Sequence, residues 1–165
     1  MKQPQRADRL VGLGQSAVAR GRGTLAVLGL GSCVAVILHD REARVGGLVH
    51  VVLPTESLAR DRSNPARFAE TAVPHLLDEM GAAGARRDRV VARLVGGASM
   101  FANLVPAGTP HMGHRNVMAC HRALRAAELL VAGESVGGDA GRSVWFEVES
   151  GKVTVRRVGH EPEVL

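Results

Sequence analysis

The sequence predicts a single α/β domain built mostly on antiparallel or mixed sheet. Its 165 residues fit one globular unit. Apolar runs of strand length, separated by glycine and polar turns, dominate both ends of the chain. Two amphipathic helical stretches interrupt them, giving the order four strands, helix, strand, helix, three strands. Hydrophobic residues make up 45% of the chain and aromatics only 2%, with no tyrosine, so the core must be aliphatic. No internal repeat or change of composition marks a second domain.

Residues 1–10 are polar and basic and are expected to form a flexible tail. Strands are expected at Val11–Ala19, Thr24–Leu30, Val34–His39 and Val45–Leu53. Pro54 to Asn64 reads as a polar surface loop. A helix follows from Pro65 to Met80, with Asn64 as N-cap, proline in the first turn and Gly81 at the end. Its apolar stripe is Ala69, Ala72, Val73, Leu76, Leu77 and Met80, and the interior Pro74 predicts a kink or two shorter helices. Val90–Leu94 reads as a strand leading into Gly96-Gly97-Ala98, whose glycines permit close backbone approach. Residues 106–114 read as a loop, and a second helix is expected from Asn116 to Val131, stopped by Gly133. Val136 closes a short strand before Gly137-Gly138. Ser143–Glu149 and Lys152–Val158 form a hairpin around Ser150-Gly151. The domain is thus bounded at 11–158, with 159–165 as a loose tail.

Chemistry concentrates in the hairpin formed by the third and fourth strands. Asp40-Arg41-Glu42-Ala43 is the polar turn, and centring it between Arg41 and Glu42 sets Cys33 directly opposite His50. Directly opposed side chains share one face with Cβ atoms about 4.5–5.5 Å apart, within reach of a thiol–imidazole hydrogen bond. An imidazole beside a cysteine stabilises the thiolate. The preceding Gly29-Leu30-Gly31-Ser32 turn offers unobstructed backbone N–H groups, suited to an oxyanion. Thiol acyl transfer is the implied reaction. Taken singly, Cys33 would be a small buried hydrophobe and His50 a satisfied core histidine.

The strings Leu28-Gly29-Leu30-Gly31-Ser32-Cys33-Val34-Ala35-Val36 and Val49-His50-Val51-Val52-Leu53-Pro54 resemble the signature of the CheD family, the chemoreceptor glutamine deamidases of bacterial chemotaxis. Gly96-Gly97-Ala98-Ser99-Met100-Phe101, Gly113-His114-Arg115-Asn116 and Val136-Gly137-Gly138-Asp139-Ala140-Gly141-Arg142 follow in the family's order, so the resemblance runs from about Val11 to Val158. It implies a layered α/β/β/α arrangement shared with deamidating toxins. It also implies papain-like hydrolysis of a glutamine side-chain amide on the cytoplasmic helices of methyl-accepting receptors. Cys33 would be the nucleophile, His50 the base and later the acid, and a thioester the intermediate. Gly31 and Ser32 would supply the oxyanion turn, while Gly96, Gly97, Arg115, Asn116, Gly137, Gly138 and Arg142 would support it or touch substrate. No cofactor is implied.

One position departs from the pattern. The family's third triad member is a threonine six residues before the cysteine, where this chain has Val27. Valine cannot hydrogen-bond an imidazole, and Thr24 lies at an odd offset that points to the opposite strand face. The orienting role would pass to Ser32 or to a backbone carbonyl. Val27 also supports a second expectation, a catalytically weakened adaptor that binds receptors or a CheC-type chemotaxis phosphatase.

The remaining composition excludes more than it adds. The formal charge of +5 invites nucleic acid, but the basic residues are dispersed and stacking aromatics are nearly absent, so no nucleic-acid partner is expected. No apolar run reaches the ~18 residues of a membrane span and no secretory apolar segment follows Met1, which predicts a cytoplasmic protein without membrane insertion. Two cysteines in a reducing compartment read as free thiols. His111 and His114 have HxxH spacing, with Cys120-His121 nearby, but further ligands at a recognised spacing are missing and no metal is expected.

Overall fold

The computed structural model describes residues 6–165. The elements run β1 (Arg9–Leu10), β2 (Ser16–Arg20), β3 (Thr24–Leu30), β4 (Val34–Asp40), β5 (Val45–Val51), α1 (Ala69–Ala82), β6 (Val91–Gly96), α2 (Met112–Ala126), β7 (Leu130–Val136), β8 (Arg142–Glu147), β9 (Val153–Arg157) and β10 (Glu163–Val164). They build two mixed five-stranded sheets, ordered β1-β3-β8-β9-β10 and β2-β5-β4-β6-β7. The single-domain α/β class is as expected. Both helices cover one face of the second sheet, and the first sheet covers the other face, so the described layers run α, β, β.

Burial explains why β4 is apolar throughout. All seven of its residues are buried, because one face meets helices and the other meets the opposite sheet. Val34, Val36 and Leu38 join the helix-side core with Val49, Val51, Leu76 and Leu124. Ala35 and Ile37 join the inter-sheet core with Leu48, Val27, Leu25 and Phe146. On β5, the Gly46–Gly47 pair lets both layers close. A Cβ at Gly46 would stand 2.5 Å from the Phe146 ring, and one at Gly47 2.8 Å from Leu76 on the other side.

Several elements differ from expectation, each for a tertiary reason. Residues 1–5 of the expected tail lie outside the described residues, but Arg9–Leu10 pairs parallel with β3, and Asp8 exchanges hydrogen bonds with Thr24. At the other end, β10 pairs antiparallel with β9 and the Leu165 amide donates to the Val153 carbonyl. Residues 11–15 turn rather than extend. Pro65–Arg67 is a 3-10 turn capped by the Asn64 side chain, and α1 begins only at Ala69. The helix is continuous through Pro74, which is solvent-exposed, so the carbonyl left without its amide partner belongs to the exposed Glu70.

The second helix is displaced most. It starts at Met112, four residues before the expected Asn116, and ends where Glu128 takes φ +59°. Leu130 and Val131, read as its last residues, instead open β7, parallel to β6, with Gly133 inside the strand. β7 is an edge strand of its sheet and largely half-exposed, so its pattern is too weakly apolar to stand out.

The β4–β5 turn carries a buried charge. Asp40 is fully buried, and its carboxylate accepts from the amides of Ala43 (3.0 Å) and Arg86 (2.8 Å) and from Arg89 Nε (3.1 Å) and Nη2 (2.9 Å). Burial pushes the carboxyl up, but the Arg86 and Ala43 amides and the Arg89 guanidinium outweigh it and hold its pKa at about 2. An unfolded aspartate titrates near about 3.9, so this stabilisation is complete above that pH and is lost as pH falls through the folded value. Asp40→Asn is therefore expected to cost about 2 kcal/mol at neutral pH. Urea titrations from neutral to strongly acidic pH should show the gap between parent and variant closing as the parental carboxylate protonates.

Candidate active site

The hairpin pairs β4 with β5 two residues away from the expected register. Ala35, not Cys33, stands opposite His50, and Val34 opposite Val51. The cause is the turn: Asp40 pairs with Val45, leaving a four-residue loop, Arg41–Arg44, in which Arg44 takes φ +51°. A shift of two preserves the strand face. Cys33, one residue before β4, therefore keeps the face of His50 but lies diagonal to it, where Cα separations are about 7–8 Å. No Cys33–His50 hydrogen bond is formed among the described residues. Both side chains line one open pocket of roughly 400 Å³ with Leu10, Val11, Gly12, Leu13, Leu28 and Gly29. Leu10, Leu13 and Leu28 are exposed on its rim.

The imidazole is held from behind. His50 Nδ1 lies 3.1 Å from the Val11 carbonyl oxygen, and since a carbonyl only accepts, Nδ1 carries the proton and Nε2 keeps its lone pair. Val11 is placed by its own amide, which donates to the Ala26 carbonyl at 2.8 Å. The His50 backbone is fixed by Gly14 and Gln15: its amide donates to Gln15 and its carbonyl accepts from Gly14. Val27 is buried in the inter-sheet core and offers no polar atom to the ring. Nothing in the side chain of Val11 announces its part; its carbonyl is backbone, placed by β1 pairing with β3.

Burial sets the resting charges. Desolvation pushes the Cys33 thiol up from its ordinary value. It pushes the His50 imidazole down, and the Val11 hydrogen bond offsets this only in part. Both directions favour the neutral pair, thiol and imidazole, over the preformed ion pair read from the sequence.

The turn before Cys33 is fastened through three successive carbonyls. Gly31 accepts from the Ala98 amide (2.8 Å), Ser32 from Asn116 Nδ2 (2.9 Å) and Cys33 from the Gly97 amide (2.8 Å). Glycines make this approach possible. A Cβ at Gly96 (φ +119°) would sit 2.3 Å from the Cys33 carbonyl oxygen, and one at Gly97 (φ +65°) 2.2 Å from Val117. A Cβ at Gly113, in the first turn of α2, would stand 2.5 and 2.4 Å from the Gly97 and Ala98 carbonyl oxygens. That contact is why a glycine that reads as loop sits inside the helix. Behind this layer the Gly137 amide donates to the Gly96 carbonyl, the Ser99 amide donates to Gly138, and Arg142 Nη2 donates to the Gly137 carbonyl. Arg115 is exposed on α2, directly before Asn116. His111 is the N-cap residue of α2, and His114 lies on its exposed face.

Similarity to known proteins now bears on this site. The family model described as CheD chemotactic sensory transduction matches residues 52–157. The chain is 39% identical over 151 residues to the chemoreceptor glutamine deamidase CheD of Thermotoga maritima, covering 92% of both chains. It is 42% identical over 147 residues to a probable chemoreceptor glutamine deamidase CheD of Methanococcus maripaludis, covering 89% of this chain and 93% of the relative. A probable chemoreceptor glutamine deamidase CheD of Caldanaerobacter subterraneus is 37% identical over 150 residues, with 91% and 93% covered. With matches of this extent, the chain belongs to the CheD family.

Proposed function

We propose that this protein is a cysteine-dependent glutamine deamidase that acts in the cytoplasm on methyl-accepting chemotaxis receptors. The observation that carries the reading is the shared pocket of Cys33 and His50, with the ring held by Val11 so that Nε2 is left as a base. Relatives named chemoreceptor glutamine deamidase supply the substrate class.

The chemistry follows from these groups. As Sγ of Cys33 attacks the glutamine amide carbon, His50 Nε2 accepts the thiol proton. The amide oxygen becomes an oxyanion. A trans peptide points its N–H opposite its C=O, so tying the Gly31 and Ser32 carbonyls inward turns the Ser32 and Cys33 amides outward, toward such an oxygen. Imidazolium then returns the proton to the nitrogen, ammonia leaves and a thioester remains. Water, deprotonated by His50, hydrolyses the thioester to glutamate and restores the thiol. Each turnover consumes one water and releases one ammonia. The Val11 carbonyl takes the orienting part that Val27 cannot play, and the diagonal placement of Cys33 and His50 tightens when substrate fills the pocket.

A non-catalytic adaptor is the second reading, favoured by Val27 and by a thiol that burial keeps protonated. Incubation with a cytoplasmic receptor fragment, read as the mass gain of replacing an amide NH2 by OH, separates the two. The parent is expected to convert glutamines and Cys33→Ala to convert none. Conversion by Cys33→Ala at the parental rate overturns the deamidase reading, and binding without conversion by the parent establishes the adaptor.

A further inference from the structure

The β4–β5 ladder ends at Val34 and Val51, one residue short of the chemistry on the β4 side. The next position would set Cys33 beside Val52. Another residue fastens the two chains here. Asn116, fully buried in the second turn of α2, directs both protons of its Nδ2 to strand-end carbonyls: Ser32 at 2.9 Å and Val52 at 3.0 Å. Ser32 directly precedes Cys33, and Val52 lies two residues beyond His50. Its Oδ1 is buried without a partner among the described residues. A buried amide left half unsatisfied costs stability, so its donors are what this position retains it for.

We propose that Asn116 is a positioning residue that sets the separation of the segments bearing Cys33 and His50. The proposal rests on those two residues forming the nucleophile–base pair. A primary amide is the side chain that presents two N–H bonds from one atom to two acceptors at a fixed angle. Serine supplies one donor, and aspartate would set a carboxylate against two carbonyl oxygens. The clamp belongs to α2, whose Gly113 is pressed against the Gly97–Ala98 turn, so the same helix registers the Cys33 turn from two directions. Losing it leaves the diagonal pair free to drift apart, which lowers the reactivity of the thiol rather than the affinity for substrate.

The test is a double-mutant cycle on alkylation of Cys33 by iodoacetamide at neutral pH. Cys120 is silent in this assay, being fully buried with its thiol pushed up to about 12. His50→Ala is expected to slow alkylation about tenfold or more through loss of the base. Asn116→Ala, with melting confirming a folded protein, is expected to slow it comparably, and the double variant to be no slower than either. With a receptor fragment, the Asn116 variant should lose kcat while KM stays near the parental value. A parental alkylation rate in Asn116→Ala, or a double variant slowed by the product of the single effects, overturns the proposal. If His50→Ala itself reacts at the parental rate, the nucleophile–base pairing fails, and the clamp with it. Should Asn116→Ala not fold, Asn116→Ser, which keeps one donor, is read the same way; failure of both to fold makes Asn116 a fold determinant and overturns the assignment.

Discussion

Replacement of His50 by alanine is expected to lower kcat/KM for deamidation by about 10²–10⁴-fold, the range of a lost general base, and to abolish the acidic limb of the pH profile. The sign of that limb follows from burial. Desolvation disfavours imidazolium, and the Val11 hydrogen bond only partly offsets it, so His50 titrates below its ordinary value of about 6.5. As the proposed base, His50 is therefore neutral at neutral pH, and activity is expected to fall as acid protonates it at that lowered pKa. Burial keeps the Cys33 thiol protonated over the same range, so the limb reports the imidazole alone. A histidine with a depressed folded pKa also weakens the fold below its unfolded value, and His39, buried and shifted the same way chiefly by desolvation, adds to this. Circular dichroism at each pH separates loss of base from loss of structure. A limb at or above the ordinary histidine value, with the fold intact, would contradict the assignment.

Gly96→Ala should produce the second large effect. The new methyl would lie 2.3 Å from the Cys33 carbonyl oxygen, at a backbone φ of +119° that side-chain-bearing residues rarely adopt. The obstacle is backbone, so it cannot swing aside, and relief requires moving the peptide that follows Cys33. A stability loss of about 1–3 kcal/mol is expected from overpacking, and about 10²-fold or more in deamidation rate from displacement of Sγ. Gly81→Ala provides the contrast. Nothing stands within 4 Å of a Cβ there, its φ is helical, and it lies in α1, so it should raise stability by about 0.5–1 kcal/mol and leave the rate unchanged. Thermal melts and deamidation assays on both variants check the pair. A fully active Gly96→Ala would show that the turn does not depend on this close approach.

How far the site was legible depended on the kind of interaction involved. Strand parity is local, so the shared face of Cys33 and His50 follows from counting residues. Register depends on the turn, and the four-residue loop with Arg44 in the left-handed region shifted the pairing by two. The Gly96-Gly97 run announced a close backbone approach because glycine has few other uses at such density. Gly113 gave the opposite signal, reading as loop while serving α2, since its purpose lies in a turn sixteen residues earlier. The edge strands β1, β7 and β10 were misread or missed for a common reason: short or half-exposed strands carry little apolar periodicity.

Residue order alone thus determined the α/β class, the aliphatic core, the common face of thiol and imidazole and the glycine-lined turn, because each rests on local conformational preference and a periodicity of two. Tertiary structure decided the diagonal offset, the Val11 carbonyl behind His50 and the Asn116 amide bridging two strand ends. These contacts join groups 39, 64 and 84 positions apart through backbone oxygens. Every residue carries such an oxygen, so only packing selects which one meets the ring or the amide.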